Sequence, residues 1–334
     1  MGEKRWKAWV LMTELSEKRA GVRLKSGEGG CSVVVDFGRK GFYASYTPMT
    51  DNITQTLPLQ DGRLLAYADY GVPDGWPLLY FHGIPGSRRE CPFDAAILQA
   101  LNIRLIVPER PGYGRSDWQE NRRILDWPDD VAQLADHLGL DRFAVLGFSG
   151  GGAYALACAH KLGERVTTAG LVSCVAPLET PAMWDAISPA FRGLYELAAT
   201  DPSLLEQQFA PAAAAPEAVI SNMEQSISTP DKAIFQNPDF RTKLLTNLTA
   251  SLHQGARAFS WDFHLAASPW NFSLMAIQQP VQLWHGSDDL NTGVAMGHYL
   301  AEALPHCRAQ FIENEGHYSL FNHMAVILRK LMSG

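Results

Sequence analysis

Short apolar runs recur along the chain, and each is followed by a segment of helical character. Residues 77–82 (PLLYFH) and 143–147 (FAVLG) are apolar almost throughout, as expected of strands buried on both faces of a sheet. A helix of small residues is predicted at 151–162. Alternating strands and helices favour a mostly parallel sheet flanked by helices, with right-handed crossovers. The sequence therefore indicates the α/β class.

The same alternation continues on either side and then stops for nearly a hundred residues. Further strands are predicted at residues 63–70, 104–107, 168–174, 281–285 and 309–312, and further helices at 94–101, 128–138, 294–304 and 318–332. Residues 176–272 contain many prolines and have helical and loop character. Because the β/α pattern resumes afterwards, we expect this segment to be a helical cap inserted after the sixth strand. Residues 51–175 and 273–334 would form the two parts of the core.

Residues 1–50 differ from the rest of the chain, being basic and rich in glycine, with one short strand-like run at 31–37. We expect them to form a loosely ordered N-terminal extension, or upstream sequence before a natural start near Met49. The apolar run at 8–12 is too short for a signal peptide, and no stretch is long enough for a membrane span. These features predict a cytoplasmic protein.

Composition excludes several classes of protein. The chain is 46% hydrophobic and 19% charged, with a formal net charge of −7, which is typical of a globular enzyme and gives no electrostatic reason to expect nucleic acid as a partner. Five scattered cysteines predict reduced thiols. No HExxH motif or Cys/His cluster is present, so we expect neither a metal nor another cofactor.

The strongest chemical signal is GFSGG at residues 147–151, between a predicted buried strand and a helix of small residues. This is the context that a nucleophile elbow requires, because a sharp strand-to-helix turn exposes the serine hydroxyl and leaves room only for small neighbours. Gly147, Phe148 and Gly151 would build the turn around Ser149. The alternative is a tight turn with an unreactive serine.

A serine nucleophile needs a base, and the base needs a carboxylate. His317, in a loop between the last predicted strand and helix, is the candidate base, with His323 as a weaker choice. Asp288 and Asp289 follow the strand at 281–285 and are the candidate carboxylates. His285, in that strand, is interpreted as structural.

The oxyanion formed in acyl transfer needs hydrogen-bond donors. One would be the backbone N–H of Gly150, and the other that of Ile84 in the loop HGIPGS (82–87), since Pro85 has no N–H to donate. An ordinary strand-to-loop turn is the alternative interpretation of that loop. The predicted substrate-contacting residues are His82, Gly83, Phe148 and Trp184.

Five motifs in this order resemble the α/β-hydrolase superfamily, specifically its capped, esterase-like members. They are HGIPGSR (82–88), ERPGYGRS (109–116), GFSGG (147–151), LWHGSDD (283–289) and NEGHYSL (314–320). The resemblance covers roughly residues 58–332. It places the base at His317, and its Gly-x-x-Asp spacing selects Asp289, with Asp288 as the fallback. Glu109 stands where the family usually has Asp, which we expect to affect loop packing alone.

The resemblance implies a serine hydrolase that cleaves carboxylic esters of small to medium, apolar substrates through an acyl-enzyme. Ser149 disfavours the dehalogenases and epoxide hydrolases, which use aspartate at this position. A lactone, thioester, amide or C–C bond remains an alternative target of the same triad, because the pocket decides the substrate. A ligand-binding protein on a hydrolase scaffold is the alternative outside catalysis. We expect a small-molecule ester as partner, and a monomer or homodimer.

Overall fold

A computed structural model describes residues 54–90 and 92–333. The predicted extension at residues 1–50, with its strand-like run at 31–37, lies outside the described residues. All candidate site residues lie inside them.

The described residues are built around a sheet of eight strands in the order β1-β2-β4-β3-β5-β6-β7-β8. The strands are β1 (Thr54–Pro58), β2 (Leu64–Gly71), β3 (Trp76–Phe81), β4 (Ile103–Pro108), β5 (Phe143–Phe148), β6 (Val166–Val172), β7 (Val281–Gly286) and β8 (Cys307–Ile312). Only the β1–β2 and β2–β4 pairs are antiparallel. The mostly parallel sheet predicted from the sequence is confirmed.

Twelve α-helices connect or cover these strands in the described part of the chain. They are α1 (Ala95–Ala100), α2 (Trp127–His137), α3 (Gly151–Leu162), α4 (Pro181–Asp185), α5 (Pro189–Thr200), α6 (Pro202–Ala214), α7 (Pro216–Ser226), α8 (Thr229–Phe235), α9 (Pro238–Ser251), α10 (Arg257–Ala267), α11 (Val294–Ala303) and α12 (Met324–Ser333). Within residues 54–90 and 92–333, none of them has both the length and the apolar character needed to cross a bilayer.

The central strand β5 shows why the sheet is covered on both faces. All six of its residues are buried. Phe143 and Val145 pack in an apolar cluster with residues of α2 and α3, whereas Ala144 and Leu146 belong to a second cluster with residues of α1 and α12. Because side chains alternate along a strand, the two clusters lie on opposite faces, and a continuous apolar run is the expected sequence.

Helices α4–α10 lie between β6 and β7 and are called the helical insertion below. Most of these helices begin with a proline at the first or second position, where its fixed φ and missing N–H are tolerated. The insertion also has an apolar cluster of its own, which includes Ile220, Ile234, Phe235 and Leu248. Six prolines of this segment therefore mark helix starts, whereas Pro211 lies inside α6.

Two elements differ from the sequence-based expectation. Strand β1 was not predicted; it is a short, largely polar edge strand that pairs with β2 and carries little periodicity. The helix predicted at residues 318–332 begins as a 3₁₀ turn at Ser319–His323, and α12 starts only at Met324. The amides of Tyr318 and Ser319 donate to Asp231, a side chain of the helical insertion, at the start of this turn.

Candidate active site

Ser149 lies directly after β5, at the carboxyl edge of the parallel strands. Its φ of +54° is in the left-handed region, which is strained for a residue with a side chain. The turn is tight: a Cβ on Gly151 would fall 2.1 Å from the backbone oxygen of Phe81. The Ser149 N–H donates to the Val172 oxygen over 2.9 Å. The local geometry is that of a strained strand-to-helix turn, as the GFSGG motif predicts.

The His317 imidazole is paired with the Asp289 carboxylate, with 2.8 Å between Nδ1 and Oδ2. Both side chains are almost entirely buried. The carboxylate also accepts hydrogen bonds from the backbone N–H groups of Asn291 and Thr292, at 2.8 and 2.9 Å. These bonds fix its orientation, so the imidazole is held through Nδ1 and its Nε2 is left for other chemistry.

The electrostatics of this pair favour an ionised carboxylate. Burial by itself would raise the pKa of Asp289, but the adjacent imidazoles of His317 and His285 outweigh it and hold that pKa well below its usual value. An ionised Asp289 accepts a hydrogen bond from the Nδ1–H of His317 and can stabilise an imidazolium. This is the electrostatic requirement for a general base next to a serine.

The other candidates from the sequence have different partners. Asp288 is exposed, and it accepts a hydrogen bond from the neighbouring Ser287 hydroxyl. The His285 Nε2 lies 2.6 Å from the Thr292 backbone oxygen, whereas its distance to the Asp289 carboxylate is longer, at 3.4 Å. His323 pairs with Glu315 at 2.7 Å. The geometry favours Asp289 over Asp288 and His317 over the other two histidines.

Two contacts bring the serine and the histidine to the same edge of the sheet. The ring of Phe148, the residue before Ser149, lies 4.9 Å from the His317 ring between centroids. Ser173, which follows β6, donates a hydrogen bond from its hydroxyl to the His317 backbone oxygen over 3.2 Å, and its backbone oxygen accepts one from the Thr292 hydroxyl. Ser173 was not singled out from the sequence, because its role arises only where three strand ends meet.

The loop after β3 lies against the start of α3. A Cβ on Gly150 would fall 2.3 Å from the Cδ1 of Ile84, so the Ile84 side chain covers this glycine. Within the described part of the chain, neither the Gly150 nor the Ile84 backbone N–H donates a hydrogen bond. Two unengaged amides next to a serine are what an oxyanion site requires.

The loop after β3 is supported by the turn that follows β4. The Arg110 guanidinium donates to the backbone oxygens of His82 and Gly83, at 2.5 and 2.8 Å. It is itself paired with the buried Asp262 of α10, which also binds Arg122 at 2.6 Å. Burial would raise the pKa of Asp262, but the two arginines hold it well below its usual value. The loop at residues 82–87, called the oxyanion loop below after its predicted role, is thus supported by a buried ionic network.

A second support of the same loop is Glu90. Its carboxylate accepts hydrogen bonds from the Gly83 N–H at 2.7 Å, the Tyr80 hydroxyl at 2.9 Å and the side-chain amide of Asn247 in α9 at 3.1 Å. Burial raises the pKa of Glu90 to about 7, although these hydrogen bonds act in the opposite direction. Neither Glu90 nor Asp262 was found from the sequence, because no local pattern links either of them to the loop.

The predicted substrate-contacting residues occupy different positions. His82 is fully buried; its Nδ1 lies 3.0 Å from the Gly83 oxygen and its Nε2 accepts from the Arg110 N–H. This geometry favours a supporting role for His82 over substrate contact. Trp184 is half-buried, and its indole donates to the Leu178 oxygen. Substrate contact by Gly83, Phe148 and Trp184 stays a prediction.

Glu109, the departure from the family pattern, is fully buried at the start of its turn. It pairs with Arg88 at 2.6 Å and accepts from the backbone N–H of Arg115 at 2.8 Å. Its carboxylate therefore joins the two ends of the turn at residues 109–116 and binds within the protein.

Among the described residues, no group of three or more His, Cys, Asp or Glu side chains is arranged to hold a metal ion.

Comparison with known proteins identifies the family. The sequence profile described as alpha/beta hydrolase fold matches residues 77–324, which is most of the chain. The chain belongs to the α/β-hydrolase fold family. This confirms the resemblance and the fold class predicted from the five motifs.

Individual relatives share between about a fifth and a third of their residues with this chain over the matched regions. The chain is similar to a non-heme haloperoxidase from Rhodococcus erythropolis, with 28% identity over 69% of this chain and 80% of that protein. It is 34% identical to a non-heme chloroperoxidase from Streptomyces lividans over 37% of this chain, a match that spans only 45% of the chloroperoxidase. Among solved structures, the esterase RhEst1 from Rhodococcus sp. ECU1013 superposes with a TM-score of 0.65 at 21% identity, over 84% of this chain and 99% of that chain.

Proposed function

We propose that the chain is a serine hydrolase that cleaves carboxylic esters of small to medium, apolar substrates through an acyl-enzyme on Ser149. The observation that carries the proposal is the buried Asp289–His317 pair, 2.8 Å apart, at the same sheet edge as a serine with a strained backbone. Membership of the α/β-hydrolase fold family supports hydrolysis as the reaction class.

In the first step, the Ser149 hydroxyl attacks the ester carbonyl carbon while the Nε2 of His317 takes its proton. The N–H groups of Gly150 and Ile84 donate hydrogen bonds that stabilise the negative charge developing on the carbonyl oxygen. Asp289 stabilises the imidazolium through its bond to Nδ1. His317 then protonates the departing alcohol, and the acyl group remains on the serine.

In the second step, His317 takes a proton from water, and the resulting hydroxide equivalent attacks the acyl carbon. The same two amides donate hydrogen bonds to the second oxyanion. The serine leaves, recovers its proton from His317, and the carboxylic acid is released. One ester and one water give one alcohol and one acid, so no cofactor takes part.

The apolar substrate class is supported by the side chains around the reacting serine. Ile84 covers Gly150, and the rings of Phe148, Tyr318 and Phe321 pack against one another beside His317. Of these side chains Phe148 is buried, so the half-buried Ile84, Tyr318 and Phe321 are the ones proposed to border an acyl or alcohol group. Trp184, on the first helix of the insertion, is proposed as a further apolar contact.

The direct test is covalent labelling with a fluorophosphonate probe. We expect the wild type to be labelled and Ser149→Ala to lose both labelling and ester hydrolysis. Ser203→Ala, which changes an exposed serine of α6, should behave like the wild type. A folded wild-type protein with neither labelling nor turnover would favour the ligand-binding alternative.

A substrate panel tests the bond that is cleaved. Aryl esters with short and medium acyl chains should be hydrolysed faster than lactones, thioesters and peptide amides. A preference for any of the other three would keep the catalytic residues and replace the proposed substrate class.

A further inference from the structure

A carboxylate from the helical insertion lies beneath the loop that carries His317. Asp231 of α8 is fully buried. Its two oxygens accept hydrogen bonds from three consecutive backbone N–H groups, those of His317 at 2.9 Å, Tyr318 at 2.7 Å and Ser319 at 2.8 Å. The Ser228 hydroxyl donates a fourth bond at 2.9 Å. The residues joined by these amide bonds are separated by more than 80 positions in the chain.

The physical need for such an acceptor is clear. Buried backbone N–H groups require partners, and these three precede α12 in a turn that supplies none. A carboxylate satisfies all three with charge-assisted bonds, which are stronger and more directional than bonds to a neutral acceptor. The three N–H groups are therefore satisfied by the insertion, since no described core side chain accepts from them, whereas the His317 backbone oxygen is bonded by Ser173 of the core.

The preceding residue is fitted to the same carboxylate. A Cβ on Gly316 would fall 2.1 Å from the Ser228 Oγ and 2.4 Å from the Asp231 Oδ2. Only glycine allows the loop to approach α8 this closely. The Gly-His pair of the NEGHYSL motif thus matches a partner that the motif itself does not contain.

Aromatic packing accompanies the charged contact. Phe235, on the same helix as Asp231, packs edge-on against Tyr318 with 5.2 Å between ring centroids. Tyr318 in turn contacts the His317 ring at 5.0 Å. Helix α8 therefore meets the loop through hydrogen bonds on one side and ring contacts on the other.

We propose that Asp231 is a positioning residue for His317. By fixing the backbone of residues 317–319, it keeps Nδ1 on Asp289 and aims Nε2 at the Ser149 hydroxyl. Its kinetic consequence rests on the function proposed above. Asp231 does not touch substrate and acts only through the base.

The test is Asp231→Asn, which keeps the shape of the side chain but replaces one acceptor oxygen with an NH₂ group that faces backbone donors. Because small misplacements of catalytic groups cost rate steeply, we expect kcat on an aryl ester to fall about 100-fold with KM within about twofold of the wild type. Fluorophosphonate labelling should slow in parallel. The low-field proton resonance of the His317 Nδ1–H should weaken or disappear.

One control variant and one further test variant separate a positioning role from general destabilisation of the fold. Leu134→Ala removes a buried side chain of α2, in the core cluster that contains neither Phe235 nor Tyr318, and should lower the melting temperature without changing kcat per folded molecule or the low-field resonance. Ser228→Ala keeps Asp231 and the three amide bonds but removes one donor. It should fold, lower kcat less than tenfold, and shift the same resonance, so it tests the proposal even if Asp231→Asn does not fold.

Several results would overturn the proposal. One is a kcat for Asp231→Asn close to that of the wild type. Another is a loss of kcat in Asp231→Asn with an unchanged His317 Nδ1–H resonance. If only Ser228→Ala folds, the contradicting result is an unchanged kcat together with an unchanged resonance. Failure of the proposed function looks different: the wild type itself is not labelled at Ser149. In that case the resonance, which needs no turnover, still decides whether Asp231 positions His317.

Discussion

The two loops beside Ser149 are each anchored by a buried carboxylate, but the anchors differ in their partners. Asp231 reaches the His317 loop from the helical insertion and accepts three consecutive backbone N–H groups. Glu90 follows the oxyanion loop in the chain and, among the described residues, accepts a single backbone N–H, that of Gly83, besides the Tyr80 hydroxyl and the Asn247 amide.

This difference has a consequence for how each loop responds to its surroundings. The His317 loop depends on a separate part of the fold, so its geometry follows the docking of α8. The oxyanion loop depends on a carboxyl whose pKa burial raises to about 7, so its anchor changes charge near neutral pH. The insertion touches both loops, and it binds the first through a charged group and the second through the neutral Asn247.

The largest effect is expected on the His317 side. Asp289→Asn should lower kcat about 10⁴-fold, or about 5 kcal/mol in transition-state free energy, because an amide can no longer hold the tautomer with a proton on Nδ1. Asp288→Asn, at the exposed neighbour, should retain activity within about twofold. Steady-state kinetics on an aryl ester decides between them, and the reverse ranking would move the triad to Asp288.

The next effect tests the support beneath the oxyanion loop. Asp262→Ala leaves Arg110 and Arg122 buried without their partner and should cost about 3–5 kcal/mol in the free energy of unfolding. The exposed pair of Arg192 and Glu196 gives the control, since Glu196→Ala should change stability by less than about 1 kcal/mol. Urea denaturation measures both. Equal costs would mean that the buried network is not what supports this loop.

The pH response distinguishes the two anchors most directly. A carboxyl whose pKa is raised from 4.5 to about 7 on folding binds its proton more tightly in the folded state. Wild-type stability should therefore fall as pH rises from about 4.5 to about 7, by on the order of 3 kcal/mol from this group. Glu90→Gln should remove that fall, whereas Glu302→Gln, on the exposed side of α11, should keep it. Thermal unfolding across this pH window provides the measurement, and identical slopes in wild type and Glu90→Gln would refute the assignment.

The smallest effect is expected where the insertion meets the oxyanion loop. Asn247→Ala removes the bond to Glu90 and the 2.8 Å bond from the Ser87 hydroxyl, which should cost about 1–2 kcal/mol in stability. Thr249→Ala, exposed on the same helix, should be close to neutral. If Asn247→Ala lowered kcat more than Asp231→Asn does, the order of the two contacts between insertion and loops would be reversed.

Much of the core could be predicted because its signals are local. The buried run at residues 143–147 followed by Gly151 specifies a strand and a tight turn within ten residues, and the structure has β5 and α3 there. The start of α12 could not be predicted in the same way. Its helical pattern extends back to residue 318, and nothing local marks the 3₁₀ turn at Ser319–His323, where the chain meets Asp231 from a distant segment.

By itself, the sequence determined the alternating core, the elbow around Ser149 and, through the motifs it shares with its family, the choice of Asp289 and His317. Only the tertiary structure decided what holds them: Asp231 under the base, Glu90 and Arg110 under the oxyanion loop, and Ser173 between the strand ends. The physical reason is that periodicity reports which residues of a segment are buried. A hydrogen bond between residues 86 positions apart exists only once the chain has folded and the segments have met.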